Sequence, residues 1–420
     1  MSNSIDSNRF NWFYSLVLAA SAMVFILFPK LSSISLVLLF IVTIIGYVKS
    51  LFVFKFNKTT SILALFYLVY LFGCIYTENI DQATRYLEYK LSFLFLPILF
   101  SFKLKQDLSL KLTFKFFIIS LFLLQLIQLF YSFNNFINSK NINFFLSSAF
   151  SFLHHPTYFS SYLIIAIGVL IKFFRKSISK QLLIFLISYF LLGILLSMSL
   201  SSLLLLVILS TIYTFRILYY KIKPLYFKLL VLTSPLILFA LLNFAPFVSE
   251  QFLASKRYVK EYVSNPKDFV SEKDFHDGGN IVRLIIWTAS FYEIIDHPFG
   301  VGTGNVDIYL GKRLKDFDQD EMIPYNYNPH NQYLQTTLEI GVIGLFVLLF
   351  FFLKIFFLVI KRRDLILGLL ILTLAFSSLF ESMLQRQSGI VFYSFWICLL
   401  VVYSNRLNSS SKFGLEDKII

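Results

Sequence analysis

Residues 334–360, LQTTLEIGVIGLFVLLFFFLKIFFLVI, form one of the long apolar stretches that decide the fold of this protein. About 20 consecutive apolar residues are enough for a helix to cross the hydrocarbon core of a bilayer. Similar stretches recur along the 420 residues, which are 57% hydrophobic and only 14% charged. A soluble protein carries about 25% charged residues. The sequence therefore predicts a polytopic membrane protein.

The apolar stretches predict an all-α protein of about twelve transmembrane helices. The first stretch follows a short polar N-terminus and no small-residue cleavage site comes after it, so we interpret it as an uncleaved span. The division between the seventh and eighth spans rests only on the polar segment Ser197–Ser202. The predicted spans are 12–28, 31–48, 61–76, 87–102, 114–133, 157–174, 182–198, 200–219, 226–244, 334–360, 364–380 and 387–403.

Lysine and arginine are concentrated in alternate connectors, which is the pattern of cytoplasmic loops. This pattern predicts that both termini are cytoplasmic, in agreement with an even number of spans. The net charge of +14 could by itself indicate nucleic acid binding. The cations flank apolar spans, however, and the sequence has no soluble basic domain that could hold a nucleic-acid strand. We therefore expect no nucleic-acid partner.

The connector from Ala245 to about Pro329 is longer than the others and mixed in charge, and the alternation places it outside the cytoplasm. Long loops of compact proteins are usually functional or disordered, and helical patterns at Glu250–Val263 and Asn280–Asp296 predict that this one is folded. The expected domains are a bundle of about nine spans, an extracytoplasmic loop with the segment that carries the main candidate functional residues, three further spans and a cytoplasmic polar tail, at residues 1–244, 245–333, 334–405 and 406–420.

The segment that begins at Asn280 combines groups suited to an anion. Asn280 is a candidate N-cap, which places Arg283 in the first helical turn and Trp287 on the same face. A helix N-terminus offers free N–H groups and the positive end of a dipole, and a guanidinium adds a bidentate donor. A phosphate would suit this arrangement, although an exposed arginine on an ordinary loop helix explains the pattern equally well.

Two motif-like segments that follow are interpreted as structural. The turn His297–Asn305, HPFGVGTGN, contains G-x-G-x-G, but no strand precedes it and no GK[ST] is present. We expect its glycines to adopt positive φ and to allow a close backbone approach. The segment Lys315–Glu321, KDFDQDE, begins like a calcium loop but has Glu321 where that loop requires glycine, so we predict no metal site.

His330 follows Asn328 and Pro329, which we interpret as a helix cap and a first-turn proline at the mouth of a span. Helical spacing places its side chain on one face with small residues that would let another helix approach. Glu339 lies over two turns into the same span, where a carboxylate is costly unless it is paired. The residues expected to share the face of His330 are Leu334, Thr337, Gly341 and Gly344.

Further cations and histidines lie at the outer ends of other spans. Each alone is most simply an interfacial anchor, but together they would make the outer mouth of the bundle cationic, as an anionic lipid-linked substrate would require. The group consists of Arg85 and Lys90 in TRYLEYKLSFLFLP, His154 and His155 in LHHPTYFS, and Arg386 in a short outer loop near Glu381.

Taken together, these motifs resemble the O-antigen ligase and polymerase family, and the ligase-like branch in particular. The resemblance lies in an Arg-x3-Trp helix, an H-P-x-G-x-G-x-G-N turn and H-N-x-Y-L-x4-E-x-G-x2-G at the start of a span, here Arg283, Trp287, His297–Asn305 and His330–Gly344. The segments LHHPTYFS and LEYKLSFLFLP also look like outer-face segments of the ligase-like branch.

The resemblance implies a helical bundle like that of the C-type glycosyltransferases. Such an enzyme transfers a glycan from undecaprenyl diphosphate to lipid A-core, or to a similar acceptor, on the periplasmic face of the bacterial inner membrane. Arg283 would bind the diphosphate, and His330 would activate the acceptor hydroxyl or assist departure of the diphosphate. Tentative substrate contacts are Lys90, Arg85, His155, Trp287, Asn331, Tyr333 and Arg386, and structural roles fall to Gly300, Gly302, Gly304, Glu339 and Gly341.

The partners implied are the lipid-linked donor, the glycan acceptor and membrane lipids, without a metal or other cofactor. The family often carries a further arginine in a Ser-Arg-Gly-like segment, whereas Ser197–Ser202 contains none. We expect Lys90 or Arg85 to supply the missing charge. A polymerase of the same family is the first alternative, and a transporter or flippase, which would need charges deep within several spans, is the second.

Overall fold

The computed structural model describes residues 2–106, 108–221, 260–273, 276 and 279–404. Helices dominate these residues and almost no sheet is present, which confirms the predicted all-α class. The helices are α1 Ser2–Leu27, α2 Ser32–Val48, α3 Ser61–Gly73, α4 Ile80–Lys90, α5 Ser92–Ser101, α6 Leu110–Ser139, α7 Ser147–Phe150, α8 Pro156–Val169, α9 Lys180–Ser197, α10 Leu200–Lys221, α11 Pro266–Glu272, α12 Gly279–Asp296, α13 Val306–Asp316, α14 Gln332–Arg362, α15 Leu365–Ser377 and α16 Gln387–Tyr403.

Six helical stretches of the described residues are long and apolar enough to cross a membrane, as expected of a multi-pass membrane protein. They are Asn8–Leu27, Pro29–Val48, Leu110–Ser139, Pro156–Phe174, Lys180–Ser197 and Gln332–Arg362. Shorter apolar helices cover Ser61–Tyr76, Leu200–Phe215, Leu365–Ser377 and Gln387–Tyr403. The predicted span 226–244 lies outside the described residues, and the total of twelve spans stays a prediction.

The predicted span 87–102 is wrong as a single helix. The chain forms α4 and α5 there, and at the junction the N–H of Leu91 donates to the carbonyl of Glu88, three residues back. This tighter turn ends α4 and lets α5 begin in a new direction. Residues beyond α5 then form a short strand, β2 Phe102–Leu104, which pairs antiparallel with β1 Phe52–Phe54.

Helix α16 lies at the centre of the bundle, because every residue from Gly389 to Tyr403 is buried. Apolar side chains of α1, α3, α5, α6 and α8 surround it in one continuous core. Aromatic rings fill much of the space; Trp396, for example, stacks on Phe114 with ring centroids 5.3 Å apart. Since the residues just before α16 connect it to α15, the central helix holds that connector in a fixed position.

Helices α11, α12 and α13 form a second, smaller apolar core with the N-terminal part of α14. Its members include Ile285 on α12, Leu310 on α13 and Leu338 on α14. A polar cluster closes one side, where Arg313 Nε donates to Glu293 Oε1 at 2.8 Å and the guanidinium also pairs with Asp296. The part of the large loop that the structure describes is therefore folded against the bundle. Of the predicted helix Glu250–Val263, residues 250–259 lie outside the described residues and 260–263 are helical.

Helix α14 is broken at Ile340 and Gly341, where the backbone leaves helical geometry. The glycine-rich turn occupies the break: the N–H groups of Val301 and Gly302 donate to the carbonyls of Leu338 and Glu339, at 2.8 and 3.1 Å. In return, the N–H of Val342 donates to the carbonyl of Pro298 at 3.0 Å. The turn therefore satisfies backbone groups that the break would otherwise leave unpaired.

Positive φ angles allow this contact, at +87° for Gly300, +98° for Gly302, +89° for Gly304 and +71° for Gly341. A Cβ atom on Gly341 would lie 2.3 Å from the carbonyl carbon of Phe299, so no side chain fits there. The expectation that Gly341 packs against another helix is therefore wrong, because the backbone of a loop occupies the space.

Candidate active site

His330 lies in the turn before α14 and not on the helix, with φ of +46°. Asn328 holds this turn, because its Oδ1 accepts the N–H of His330 at 2.8 Å and the hydroxyl of Ser382 at 3.1 Å. The helix is capped instead by Asn331, whose Oδ1 accepts two N–H groups of the first turn. The predicted cap at Asn328–Pro329 is therefore wrong, and so is the shared helical face of His330 with Leu334, Thr337, Gly341 and Gly344.

Glu381 lies at the centre of the site, in the connector between α15 and α16. Its Oε2 is 3.1 Å from Nδ1 of His330 and 3.5 Å from Nε2 of His155. The glutamate side chain is only 2% exposed, whereas the two imidazoles are about a quarter exposed, at 26% and 27%. One buried carboxylate thus joins two half-buried histidines that come from distant parts of the chain.

The charges of the site keep Glu381 ionised. Burial raises the pKa of this carboxyl, but the hydrogen bond from His330 and the charges of His155, His330 and Arg386 outweigh burial, so the pKa lies below its usual range. Burial lowers the pKa of His155, and the charges of Arg386, His330 and Arg283 act in the same direction, against Glu381. His155 is therefore neutral near pH 7.

Arg283 and Arg386 approach this centre from two elements. Arg283 is half-buried on α12, and its charge acts on His155. Arg386 is exposed at the N-cap position of α16, and its charge acts on both His155 and Glu381. Within the described part of the chain, neither guanidinium forms an ion pair with a carboxylate. Both therefore remain available to an anionic ligand.

Three residues that were predicted to contact the substrate form hydrogen bonds within the protein instead. Trp287 Nε1 donates to the carbonyl of Pro329 at 2.7 Å, which ties α12 to the turn that carries His330. Asn331 caps α14 and donates through Nδ2 to the carbonyl of Leu379 at 3.2 Å. The hydroxyl of Tyr333 donates to the carbonyl of Ala375 at 2.8 Å. Their polar groups support the shape of the site.

Lys90 is fully buried, and its Nζ donates to Gln385 Oε1 at 2.7 Å. Gln385 Nε2 in turn donates to Oε2 of the fully buried Glu339 at 2.7 Å, so the amide side chain links the two charges. The ammonium group also lies 4.4 Å from the ring centroid of Tyr70. Arg85, by contrast, is exposed on α4. Lys90 is thus placed to support the connector that carries Glu381.

Sequence reasoning did not single out Glu381, Gln385 or Asn328 as site residues. In the sequence, Glu381 could have been noticed as a carboxylate that lies near Arg386 in a short connector between two spans. Its two histidine partners are 51 and 226 positions away along the chain, so no local spacing connects the three residues. Only the packing of α8, α14 and α16 shows that they meet.

No metal-binding group is found among the described residues, where no three His, Cys, Asp or Glu side chains are arranged to hold an ion. The acidic segment Lys315–Glu321 contributes its apolar residue Phe317 to the second core and exposes Asp316 and Asp320.

The comparison with known families covers this same region. Residues 183–349 match a family model described as O-Antigen ligase. No curated protein matches the chain. The matched residues include Arg283, Trp287, the glycine-rich turn and His330, while Glu381 and Arg386 follow the matched segment. Over residues 183–349 the chain is therefore similar to the O-antigen ligase family.

Proposed function

We propose that this protein is a ligase that transfers a glycan from undecaprenyl diphosphate to lipid A-core, or to a similar glycan acceptor, on the periplasmic face of the inner membrane. Members of the family that residues 183–349 match are glycosyltransferase-like ligases or polymerases that use lipid-linked glycans, which supports an enzyme of this kind. The proposed orientation has both termini in the cytoplasm. The observation that carries the proposal is the His330–Glu381 pair, 3.1 Å apart and flanked by Arg283 and Arg386.

His330 is the proposed general base. An ionised carboxylate only accepts hydrogen bonds, so Nδ1 of His330 carries the proton in its contact with Glu381. The neutral ring then presents the lone pair of Nε2 to the acceptor. A histidine in this tautomer, oriented by a carboxylate, is well suited to take the proton of a sugar hydroxyl near pH 7.

The transfer step balances without a further reactant. The acceptor oxygen forms a bond to the anomeric carbon of the glycan as its proton passes to His330 Nε2. The bond from that carbon to the diphosphate oxygen breaks, and undecaprenyl diphosphate leaves with the electron pair. Arg283 and Arg386 stabilise the growing negative charge, which is the role of positioned cations in an active site. We therefore propose a metal-independent transfer.

Arg386 replaces Lys90 in our assignment of the missing family charge. Lys90 donates to Gln385 from a fully buried position, whereas Arg386 is exposed and acts on both Glu381 and His155. Arg85 is exposed on α4, and no contact among the described residues connects it to the two histidines.

The test is transfer by purified His330→Ala with undecaprenyl-diphosphate glycan and acceptor. We expect activity to fall by about 10²–10⁴-fold, the usual contribution of general-base catalysis. His297→Ala is a matched control, because His297 Nδ1 also lies 3.1 Å from a glutamate, Glu293, but in the loop cluster of Arg313. Full activity of His330→Ala would exclude the assignment, as would an equal loss in the His297→Ala control.

The phenotype of loss distinguishes a ligase from a polymerase. Cells without a ligase should carry bare lipid A-core and accumulate lipid-linked polymer. Cells without a polymerase should carry core with a single repeat. The second result would keep the site but change the acceptor to another lipid-linked repeat.

A further inference from the structure

The two histidines on Glu381 use different ring nitrogens. His330 approaches with Nδ1, whereas His155 approaches with Nε2 at 3.5 Å. The other nitrogen of His155 is also engaged, because Nδ1 accepts the backbone N–H of Thr157 at 3.4 Å and so caps helix α8. The imidazole of His155 is therefore held at both nitrogens by the protein.

This double contact allows only one protonation state of His155. A nitrogen that accepts an N–H cannot itself carry a proton, and an ionised carboxylate offers no proton to the opposite nitrogen. The ring must therefore be neutral with its proton on Nε2, directed at Glu381. Unlike His330, it has no free lone pair for a substrate proton.

We propose that His155 is a positioning residue, whose Nε2–H faces the Glu381 carboxylate at 3.5 Å and helps to hold it in place for His330. It is neither a second base nor a cation for the diphosphate, in contrast to the expectation from the sequence. This inference rests on the proposed function, because glycan transfer is its readout.

The residues around His155 restrict its movement. His154 Nε2 lies 2.8 Å from the carbonyl of Ile26, and both Pro156 and Thr157 are buried. Helix α8 also contacts the chain on both sides of Arg386, since Tyr158 donates to the carbonyl of Ser382 in the connector and Tyr162 to that of Ser388 in the first turn of α16, at 3.1 and 2.9 Å. The donor and its acceptor therefore belong to one rigid unit.

The charged groups that face His155 are Glu381, Arg386, His330 and Arg283. Glu381 forms a hydrogen bond with His330 and also lies 3.5 Å from Nε2 of His155, so its negative charge acts on both rings. If His155 no longer donates, that charge acts on His330 alone and holds a proton on the base more strongly. The acidic limb of the pH–rate profile should then move to higher pH.

A pair of amide substitutions separates the two contacts of His155. The carboxamide oxygen of asparagine can take the place of Nδ1, and asparagine is a favourable N-cap, so His155→Asn keeps the cap but loses the donor. The carboxamide nitrogen of glutamine can take the place of Nε2, so His155→Gln keeps the donor but loses the cap. Both variants are measured in full-length protein for kcat, KM, the pH–rate profile and Tm.

For His155→Asn we expect a fall in kcat of about tenfold, equivalent to about 1.4 kcal/mol in the activation barrier, and an acidic limb shifted to higher pH. His155→Gln should recover most of the lost kcat and the native limb, with a lower Tm. A native kcat and limb in His155→Asn, or equal losses of kcat in both variants, would overturn the inference. If the wild type transfers no glycan, or His330→Ala is fully active, the proposed function fails instead.

Discussion

At the scale of the residue, the site depends on which polar side-chain atoms are not already bound to other groups of the protein. The sequence indicates Arg283 and His330 as site residues. Among the described residues, the guanidinium of Arg283 has no carboxylate partner, whereas Nδ1 of His330 forms a hydrogen bond with Glu381. Trp287, Asn331 and Tyr333 lie in the same region, but their polar atoms bind the backbone of the protein. Their position near the site therefore does not show that they bind a substrate.

The neutral state of His155 gives a prediction for stability. Its pKa is lowered in the folded state, mainly by burial, so the unfolded chain binds a proton more readily. The stability that this contributes is complete above about pH 6.5, the ordinary histidine value, and is lost as the pH falls through the lower folded value. The depressed pKa of Glu381 acts in the same direction, but below the ordinary glutamate range of about pH 4.3.

Between pH 7.5 and pH 5, we therefore expect the Tm of the wild type in detergent to fall more steeply than the Tm of His155→Asn. The variant has no imidazole to titrate at position 155, but its asparagine still caps helix α8. Parallel decreases of Tm in both proteins would show that His155 is not buried in its neutral form.

At the scale of the element, the important feature is the break in α14 and the turn that fills it. The glycines of the turn were interpreted from sequence as structural, without a partner for them. The structure shows that the partner is the helix itself, where Gly300 and Gly341 allow the two backbones to touch. A Cβ atom on Gly300 would lie 2.5 Å from the nitrogen of Gly341.

Substitution of Gly341 tests this contact. Gly341→Ala places a methyl group 2.3 Å from the backbone of Phe299 at a φ of +71°, so we expect a loss of at least about 1–3 kcal/mol in the free energy of unfolding. Gly311→Ala, in helix α13, is the control; its nearest neighbour would be a side-chain atom 3.6 Å away. That change should be neutral or stabilise by about 0.5–1 kcal/mol. Similar Tm values for both variants would contradict the packing.

At the scale of the whole molecule, three distant segments meet beneath the site. Lys90 from α4, Glu339 from α14 and Gln385 from the connector before α16 form one buried network. Buried charges that lose a partner are costly, while replacement of a whole pair by neutral groups is tolerated. The network thus holds the connector that presents Glu381 to both histidines.

A double-mutant cycle tests the network. Lys90→Met should destabilise by about 3–5 kcal/mol, because it leaves Glu339 charged and buried. Lys90→Met combined with Glu339→Gln should recover a large part of this loss. Arg85→Met, on the exposed side of the same helix, should change the stability by less than about 0.5 kcal/mol. Additive effects of Lys90→Met and Glu339→Gln on Tm would exclude a direct coupling of the two residues.

The sequence by itself determined the all-α membrane class, because the length and apolarity of a span are local properties that follow from bilayer thickness. It also indicated Arg283 and His330, because both lie in short motifs that resemble those of the O-antigen ligase family. Only the tertiary structure decided that Glu381 joins His155 to His330, that Lys90 is buried and that α14 is broken at Gly341. These features depend on contacts between residues far apart in the chain. The local periodicity of the sequence does not show which helices pack together.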